Sequence, residues 1–235
     1  YKKKGHKVVE ANQEVARKAY DYVQEHYAAD FEFKLEPIEA PDRMVINGNH
    51  AFCLGAVLGG CRFISAYPMT PATSIIEWMS THADRYGIVA KHTEDELAAI
   101  LMAIGANHAG VRGMVSTSGG GFSLMVESLG LAGITETPLV AVDVQRAGPS
   151  TGMPTRSEQA DLLFVLRASH GEFPRFVLAP GTPEEAFNIG WRAFNLAEKY
   201  QTPVIVLSDT FLANSLRTIE REDFGFEDVK IDRGE

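Results

Sequence analysis

Three acidic residues in a row, Glu94, Asp95 and Glu96, follow a short apolar segment and precede an alanine-rich run. In that run, small residues recur at the spacing of one helical face: Ala99, Ala103, Ala106 and Gly110. Acidic side chains in the first turn of a helix complement the helix dipole, so capping alone could explain them. A carboxylate at the head of a small-residue face could equally exchange a hydrogen bond with a buried heteroaromatic ring. From the residues alone, both interpretations stay open.

Residues 145–155 form the most distinctive stretch of the sequence. It contains two glycines and two prolines, several hydroxyl residues and one arginine, Arg146. An arginine guanidinium suits bidentate recognition of a carboxylate. A structured surface loop with a solvated arginine is the alternative.

Two shorter loops have a similar composition. Pro68 and Pro71 flank Thr70 and would fix where its hydroxyl group points. Ser118 is followed by three glycines, the first of which is Gly119. Glycines allow close backbone approach, and a helix start offers free N–H groups to an anion. Each loop could also be a simple turn.

From residue 43 onward, short apolar segments alternate with longer helical ones. We predict strands at residues 43–47, 62–67, 87–91, 113–117, 139–144, 175–178 and 204–207. We predict helices at residues 51–58, 74–85, 96–109, 121–134, 158–170 and 183–200. This alternation predicts an α/β fold with an open, mostly parallel sheet and helices on both faces. Ligands of such sheets bind beyond the carboxyl ends of the strands, which is where the loops above lie.

The two ends of the chain differ from this central part. Residues 1–42 are predicted to form a helix and an acidic, proline-containing linker. Residues 43–210 are predicted to be one domain. Residues 211–235 are polar and acidic and are predicted to be a second linker.

The composition excludes several classes of function. The net charge is −9 without a basic stripe, which argues against nucleic acid as a partner. No apolar run is long enough to span a bilayer, so no membrane partner is expected. The two cysteines cannot form a disulfide framework, which favours a reducing cytoplasm. Without a Cys-x-x-Cys motif, we expect no iron–sulfur cluster held by this chain alone.

Two other functions are compatible with parts of the sequence. Ser118, Asp143 and His170 occur in the chain order of an α/β-hydrolase triad, although the Gly-x-Ser-x-Gly elbow is missing. A non-catalytic nucleotide-binding or assembly module could also carry glycine loops on a parallel sheet.

Taken together, the loops resemble the pyrimidine-binding domain of the α subunit of 2-oxoacid:ferredoxin oxidoreductases, most closely the 2-oxoglutarate type. Five motifs of the family have counterparts in this sequence. Residues 67–71 match Tyr-Pro-Ile-Thr-Pro, residues 94–96 match Glu-Asp-Glu, and residues 117–124 match Thr-Ser-Gly-Pro-Gly-Phe-Ser-Leu. Residues 144–155 match Val-Gln-Arg-x-Gly-Pro-Ser-Thr-Gly-x-Pro-Thr, and residues 169–175 match Ser-His-Gly-x-x-Pro-Arg. Met69 and Gly120 depart from the family's Ile and Pro, which bears on substrate fit. The resemblance covers residues 43–210. Residues 1–42 look similar to the end of a γ-like domain, and residues 211–235 would lead to a following domain.

The resemblance implies a thiamine-diphosphate-binding pyrimidine-domain fold and a set of site residues. Glu96, nine residues before Gly105 as in thiamine-diphosphate enzymes, would hydrogen-bond the ring nitrogen N1′ of the aminopyrimidine, with Glu94 as the alternative. Arg146 would hold the substrate carboxylate, and Thr70 would hydrogen-bond the substrate or an intermediate. Ser118 and Gly119 would line the pyrimidine pocket.

The implied reaction is the oxidative decarboxylation of a 2-oxoacid, with electrons passed to ferredoxin and the acyl group to coenzyme A. No Gly-Asp-Gly occurs here, so Mg, the diphosphate and an iron–sulfur cluster are expected on a partner β subunit, in an α2β2-like hetero-oligomer. Another thiamine-diphosphate enzyme, such as a decarboxylase or transketolase, remains an alternative. Those enzymes use the same glutamate without the arginine loop.

Overall fold

The computed structural model describes residues 5–30, 33 and 35–234. It divides the chain into two units, one that ends at Pro41 and one that begins at Asp42. The first unit contains helix α1 (His6–Tyr27) and a 3-10 turn (Ala28–Asp30), and α1 has no buried residue. Residues 31, 32 and 34 of the predicted linker lie outside the described residues. None of the described helices is long and apolar enough to cross a membrane.

The second unit is built around a parallel sheet. The described strands are β1 (Arg43–Ile46), β2 (Phe63–Ala66), β3 (Val89–His92), β4 (Gly113–Thr117), β5 (Leu139–Gln145), β6 (Phe176–Leu178), β7 (Pro203–Asp209) and β8 (Arg217–Glu220). Six of them form one sheet in the order β3–β2–β4–β5–β7–β6, and every neighbouring pair is parallel. Strands β4 and β5 are fully buried because both of their faces are covered.

Helices cover both faces of this sheet. They are α2 (Gly48–Leu58), α3 (Thr73–Thr81), α4 (Ala83–Tyr86), α5 (Glu96–His108), α6 (Gly119–Ile134), α7 (Leu162–Arg167), α8 (Pro183–Tyr200) and α9 (Thr210–Asn214). One apolar core lies between the sheet and α2, α3 and α8, and a second lies between the sheet and α5, α6 and α7. Along β5, Val140 and Val142 face the first core, while Leu139 and Ala141 face the second. The predicted α/β fold with an open parallel sheet is confirmed.

The outer segments differ from the prediction. Strand β1 does not join the parallel sheet but pairs antiparallel with β8, with Arg43 opposite Glu220. The described part of the segment predicted as a linker, residues 211–234, belongs to the second unit. Phe224 is 0% exposed and packs edge-on against Phe187 of α8. The acidic composition of this segment concealed a few apolar residues that anchor it.

Two predicted helices are shorter than expected. The helix predicted at 158–170 is reduced to α7, because residues 147–161 form an irregular loop held by side-chain and backbone hydrogen bonds. The helix predicted at 74–85 is divided at His82 into α3 and α4.

Helices α2 and α8 approach each other at glycines. A Cβ atom on Gly55 would collide with the backbone carbonyl of Phe187, and one on Gly190 would lie 2.6 Å from the Phe52 carbonyl oxygen. Neither obstacle is a flexible side chain that could move away. The packing distance of this helix pair, which supports strands β5 and β7 from behind, therefore requires glycine.

We expect Gly55→Ala to destabilise the chain by at least about 2 kcal/mol, because overpacking moves backbone rather than side chains. Thermal unfolding of the purified chain should show a clearly lower midpoint. Gly105→Ala is the matched control, since Gly105 is also helical but has open space around its Cβ position. That change should be neutral or stabilising by up to about 1 kcal/mol. Equal midpoints for the two variants would contradict this account of α2–α8 packing.

Candidate functional site

A cavity of about 480 Å³ lies beyond the carboxyl ends of β4 and β5. Loops from four parts of the chain enclose it, as expected for a ligand site on a parallel sheet. Its lining residues are Met69, Glu96, Gly119, Gly120, Ser123, Leu124, Arg146, Ala147, Gly148, Pro149, Ser150, Thr151, Asp161 and Phe164. Three of the predicted site residues, Glu96, Gly119 and Arg146, are thus brought together.

The three consecutive acidic residues have three different environments. Asp95 is the N-cap of α5, where its carboxylate accepts a hydrogen bond from the Ala98 N–H at 2.7 Å. Glu94 is exposed to solvent. Glu96 is only 5% exposed and lines the cavity. The capping function therefore falls to Asp95, which leaves Glu96 free for the cavity.

The carboxylate of Glu96 accepts no hydrogen bond from any described residue. Glu96 is not among the residues whose side-chain oxygens are enclosed without a partner, and it lines the cavity, so a ligand there can reach its carboxylate. The position of the side chain is set by close contact with α6. A Cβ on Gly121 would lie 2.6 Å from Glu96 Oε1 and would also collide with Thr117 Oγ1.

Arg146 joins two of the loops around the cavity. Its Nη1 donates to the carbonyl oxygen of Thr70 at 2.6 Å, and its Nη2 donates to that of Thr151 at 2.5 Å. The residue is 8% exposed, and burial lowers the pKa of its guanidinium from the usual value. A guanidinium has five N–H donors, so these two hydrogen bonds leave others available.

The loop after Arg146 is folded onto itself. The Ala147 N–H donates to the Arg156 carbonyl at 3.1 Å, and the Met153 N–H donates to the Ala147 carbonyl at 2.8 Å. Gly152 has a φ of +68°, and a Cβ there would collide with the Ala147 carbonyl oxygen. Only glycine therefore fits this turn, which closes one side of the cavity.

An acidic residue that was not predicted, Asp161, also lines the cavity. Its side chain lies directly against the Cα of Gly119, so that a Cβ there would be 2.9 Å from the Asp161 carboxyl carbon. It neighbours Asp143, a fully buried residue of β5. Burial, and then the nearby Asp161 carboxyl, raise the pKa of Asp143 well above its usual range. The sequence contains one indication of this acidic pair, because Asp143 interrupts an otherwise apolar predicted strand.

The other two predicted site residues lie next to the cavity rather than on its surface. Thr70 is exposed and contacts the site through its carbonyl oxygen, which accepts from Arg146. Ser118 is fully buried at the end of β4, and its hydroxyl has no hydrogen-bond partner among the described residues. Their proposed roles in binding stay predictions.

The arrangement does not support a hydrolase triad. Ser118 and Asp143 are both fully buried, whereas His170 is exposed. Neither the Ser118 hydroxyl nor the Asp143 carboxylate bonds to a histidine in the described structure. Within the same residues, no group of three or more His, Cys, Asp or Glu side chains is placed to hold a metal ion.

The small-residue face of α5 is used for packing within the domain. Ala99 and Ala103 are fully buried, and the Ala99 carbonyl accepts a hydrogen bond from Ser65 of β2 at 2.6 Å. A Cβ on Gly113 of β4 would lie 3.4 Å from the Ala103 carbonyl oxygen. The face therefore allows the sheet, rather than a flat ligand, to approach closely.

Comparison with known proteins agrees with this geometry. A family model described as pyruvate flavodoxin/ferredoxin oxidoreductase, thiamine-diphosphate-binding, matches residues 54–232. The chain belongs to this thiamine-diphosphate-binding family. The matched region contains every cavity-lining residue.

Individual relatives are longer than this chain. It is 48% identical over 205 residues to the 2-oxoacid:ferredoxin oxidoreductase subunit alpha of Saccharolobus solfataricus, covering 82% of this chain and 32% of that protein. It is 47% identical over 178 residues to the 2-oxoglutarate synthase subunit KorA of Methanothermobacter marburgensis, covering 76% of this chain and 48% of that protein. The chain thus spans about a third to a half of the relatives it matches.

A solved structure shows the same fold. The 2-oxoglutarate:ferredoxin oxidoreductase from Magnetococcus marinus, with 2-oxoglutarate, coenzyme A and succinyl-CoA bound, superposes with a TM-score of 0.86 at 43% identity. The superposition covers 99% of this chain and 40% of that one.

The cavity fits the aminopyrimidine end of thiamine diphosphate. It offers a buried carboxylate, Glu96, with no competing donor among the described residues, and a wall of glycine backbone at Gly119 and Gly120. A planar heteroaromatic ring can lie against the glycine backbone while a nitrogen at its edge hydrogen-bonds the Glu96 carboxylate.

Gly121→Ala should displace the Glu96 carboxylate and weaken binding of thiamine diphosphate by about tenfold or more, the equivalent of one lost charged hydrogen bond. The dissociation constant can be measured by calorimetry on the assembled enzyme after removal of the cofactor. Gly130→Ala in the same helix is the control, because its Cβ would meet only the movable Ser169 hydroxyl. Unchanged affinity in the Gly121→Ala protein would show that the contact does not position Glu96.

Proposed function

We propose that this chain forms part of the α subunit of a 2-oxoacid:ferredoxin oxidoreductase that acts on 2-oxoglutarate. The reaction is a coenzyme A-acylating oxidative decarboxylation. The observation that carries this proposal is that the buried carboxylate of Glu96 and the guanidinium of Arg146 line one cavity of a thiamine-diphosphate-binding domain.

Glu96 serves as the hydrogen-bond partner of the pyrimidine ring nitrogen. Its place in the cavity and its lack of a protein donor mean that no described group competes with the ring nitrogen for the carboxyl oxygens. When bound, thiamine diphosphate supplies the carbon nucleophile and the electron sink that decarboxylation requires. The contribution of Glu96 is to fix the orientation and protonation of the ring.

Arg146 binds the carboxylate of the 2-oxoacid. Two of its donors hold the Thr70 and Thr151 carbonyls, and this fixes the plane of the guanidinium. The remaining donors can pair with a carboxylate, and the small exposure of Arg146 strengthens such a charged hydrogen bond. Thr70 hydrogen-bonds the substrate from the same side, while Ser118 and Gly119 support the pyrimidine pocket.

A partner subunit completes the site. Apolar side chains beside the cavity are exposed on this chain: Leu97, Leu101, Met102 and Leu124. Three of them lie on α5 and one on α6, the two helices that carry Glu96 and the glycine wall. We propose that a β subunit covers this surface in a hetero-oligomer such as α2β2. We place Mg, the diphosphate site and the iron–sulfur cluster on that β subunit, and the complex delivers electrons to ferredoxin.

The substrate assignment rests on similarity. The Magnetococcus marinus enzyme was solved with 2-oxoglutarate, coenzyme A and succinyl-CoA bound, and the Methanothermobacter relative is described as a 2-oxoglutarate synthase. Met69 and Gly120 both line the cavity and depart from the family motifs, and of the two only Met69 has a side chain to contact a substrate. It is the position from which selectivity among 2-oxoacids can be tested.

Glu96→Gln should abolish 2-oxoglutarate-dependent reduction of a viologen dye by the anaerobically purified complex with coenzyme A. We expect a loss of roughly 10²–10⁴-fold, because the amide cannot exchange a proton with the ring. Glu94→Gln, an exposed neighbour, should retain the wild-type rate and serves as the control.

The substrate comparison is part of the same assay. Reduction with pyruvate alone would overturn the substrate and keep the reaction type. If a complex loaded with cofactor and clusters reduces no dye with any 2-oxoacid, the oxidoreductase proposal is wrong.

Arg146→Lys should raise the KM for 2-oxoglutarate by about tenfold or more, since an ammonium cannot reproduce the bidentate fork and the two loop contacts together. Steady-state kinetics should show a smaller change in the KM for coenzyme A. Arg156→Lys in the same loop is the control, because Arg156 is exposed and only its backbone bonds are observed. Parallel increases in both KM values would indicate general disruption of the loop.

A further inference from the structure

Among the described acidic residues of the domain, Asp143 is the most completely buried. It is 0% exposed, and neither of its carboxyl oxygens accepts a hydrogen bond from an N–H or O–H of another described residue. In the sheet it lies between Thr117 of β4 and Leu207 of β7, on the face that carries α5, α6 and α7. An ionised carboxylate in such surroundings would carry a large desolvation cost.

A second carboxyl group, that of Asp161, lies beside Asp143. The Asp161 N–H bonds to Gln145, two residues further along β5, and its side chain lies against Gly119, two residues after Thr117, the β4 neighbour of Asp143. Asp161 Oδ2 is also buried and has no donor among the described residues. Two adjacent carboxyl groups that share one proton satisfy each other, because the protonated acid donates to the carboxylate. Burial raises the pKa of both groups, and the hydrogen bond from Asp143 acts against this rise at Asp161. Asp143 is 0% exposed, whereas Asp161 lines the cavity and can be solvated there, so the proton belongs on Asp143.

Asp161 connects this pair to the cofactor cavity. The Asp161 N–H donates to Gln145 Oε1 at 3.0 Å, and the Gln145 side-chain amide donates to the Ser208 carbonyl at 3.1 Å. These two bonds fix the Asp161 backbone to the carboxyl ends of β5 and β7. Its carboxyl group lies against Gly119 at the start of α6. Movement of Asp161 would therefore move the glycine wall.

We infer that Asp143 holds a proton and donates a hydrogen bond to the Asp161 carboxylate, and that this pair positions the Gly119–Gly120 wall of the cavity for the pyrimidine of thiamine diphosphate. The inference rests on the cofactor site of the proposed function. Asp143 and Asp161 are positioning residues, since Asp143 does not reach the cavity surface.

The pair makes the wall sensitive to rising pH. Because the pKa of Asp143 is raised in the folded chain, its stabilising state is present at low pH and is lost as the pH rises through that folded value. Above it, two negative charges repel each other inside the domain. The other charged groups nearby are Glu158, which raises the pKa of Asp161, and Glu96 and Arg146, which line the same cavity as Asp161.

The test uses the assembled complex with three variants. Asp143→Asn supplies a permanent donor of the same shape, Asp143→Ala removes the donor, and Glu127→Gln changes an exposed carboxylate of α6 as the control. Infrared difference spectra recorded below the pH at which the wild type loses affinity should show the C=O stretch of a protonated carboxylic acid in the wild type. The band should be lost in Asp143→Asn and kept in Glu127→Gln.

Binding of thiamine diphosphate to the cofactor-free complex gives the second measurement. We expect a dissociation constant within about threefold of wild type for Asp143→Asn and about tenfold weaker or more for Asp143→Ala. The wild type should lose affinity as the pH rises through the folded pKa of Asp143, and Asp143→Asn should show no such loss. If Asp143→Ala does not assemble, the comparison between Asp143→Asn and the wild type decides.

An unchanged carboxylic acid band in Asp143→Asn, or an Asp143→Asn complex that binds the cofactor tenfold more weakly than wild type, would overturn the inference. Neither readout requires turnover. Failure of the complex to oxidise any 2-oxoacid would therefore overturn the proposed function and be distinguishable from failure of this inference.

Discussion

The site depends on keeping one carboxylate, that of Glu96, buried and without a hydrogen-bond donor from the described chain. Because no described protein group satisfies this carboxylate, it stays available to a ligand in the cavity. Asp95 caps α5 and so fixes where the helix begins. Gly121 lets α6 pass close to the Glu96 side chain. The parallel sheet brings both helix starts to the same edge, which is why the cavity forms there.

A second constraint is the way in which loops without regular structure are kept in place. Arg146 binds two backbone carbonyls from different loops, and the residues that follow it bond to one another. A guanidinium fixed in this way is preorganised for a carboxylate, because little rotamer freedom is left to lose on binding. The loop residues thus contribute to function by restricting Arg146.

The sequence predicted the parts that local patterns control. The apolar strands, the strand–helix alternation and the glycine- and proline-rich loops are enough to predict that Glu96, Gly119 and Arg146 lie at the carboxyl ends of the strands, where the cavity is found. It did not predict Asp161, because that residue lies in a segment expected to be helical and becomes part of the site only through Gln145. The antiparallel pairing of β1 with β8 depends on contacts across the whole chain, such as Phe224 with Phe187, that no local pattern reveals.

The central claim, that Glu96 holds and activates the aminopyrimidine, is tested most directly by proton exchange at the thiazolium C2 of the bound cofactor. Rapid mixing of the loaded complex into deuterated water, acid quench and proton NMR give the exchange rate without any substrate. Our account predicts that Glu96→Gln slows this exchange by roughly 10²–10⁴-fold, while Glu94→Gln leaves it unchanged. Equal exchange rates in wild type and Glu96→Gln, at full occupancy of the cofactor, would contradict it.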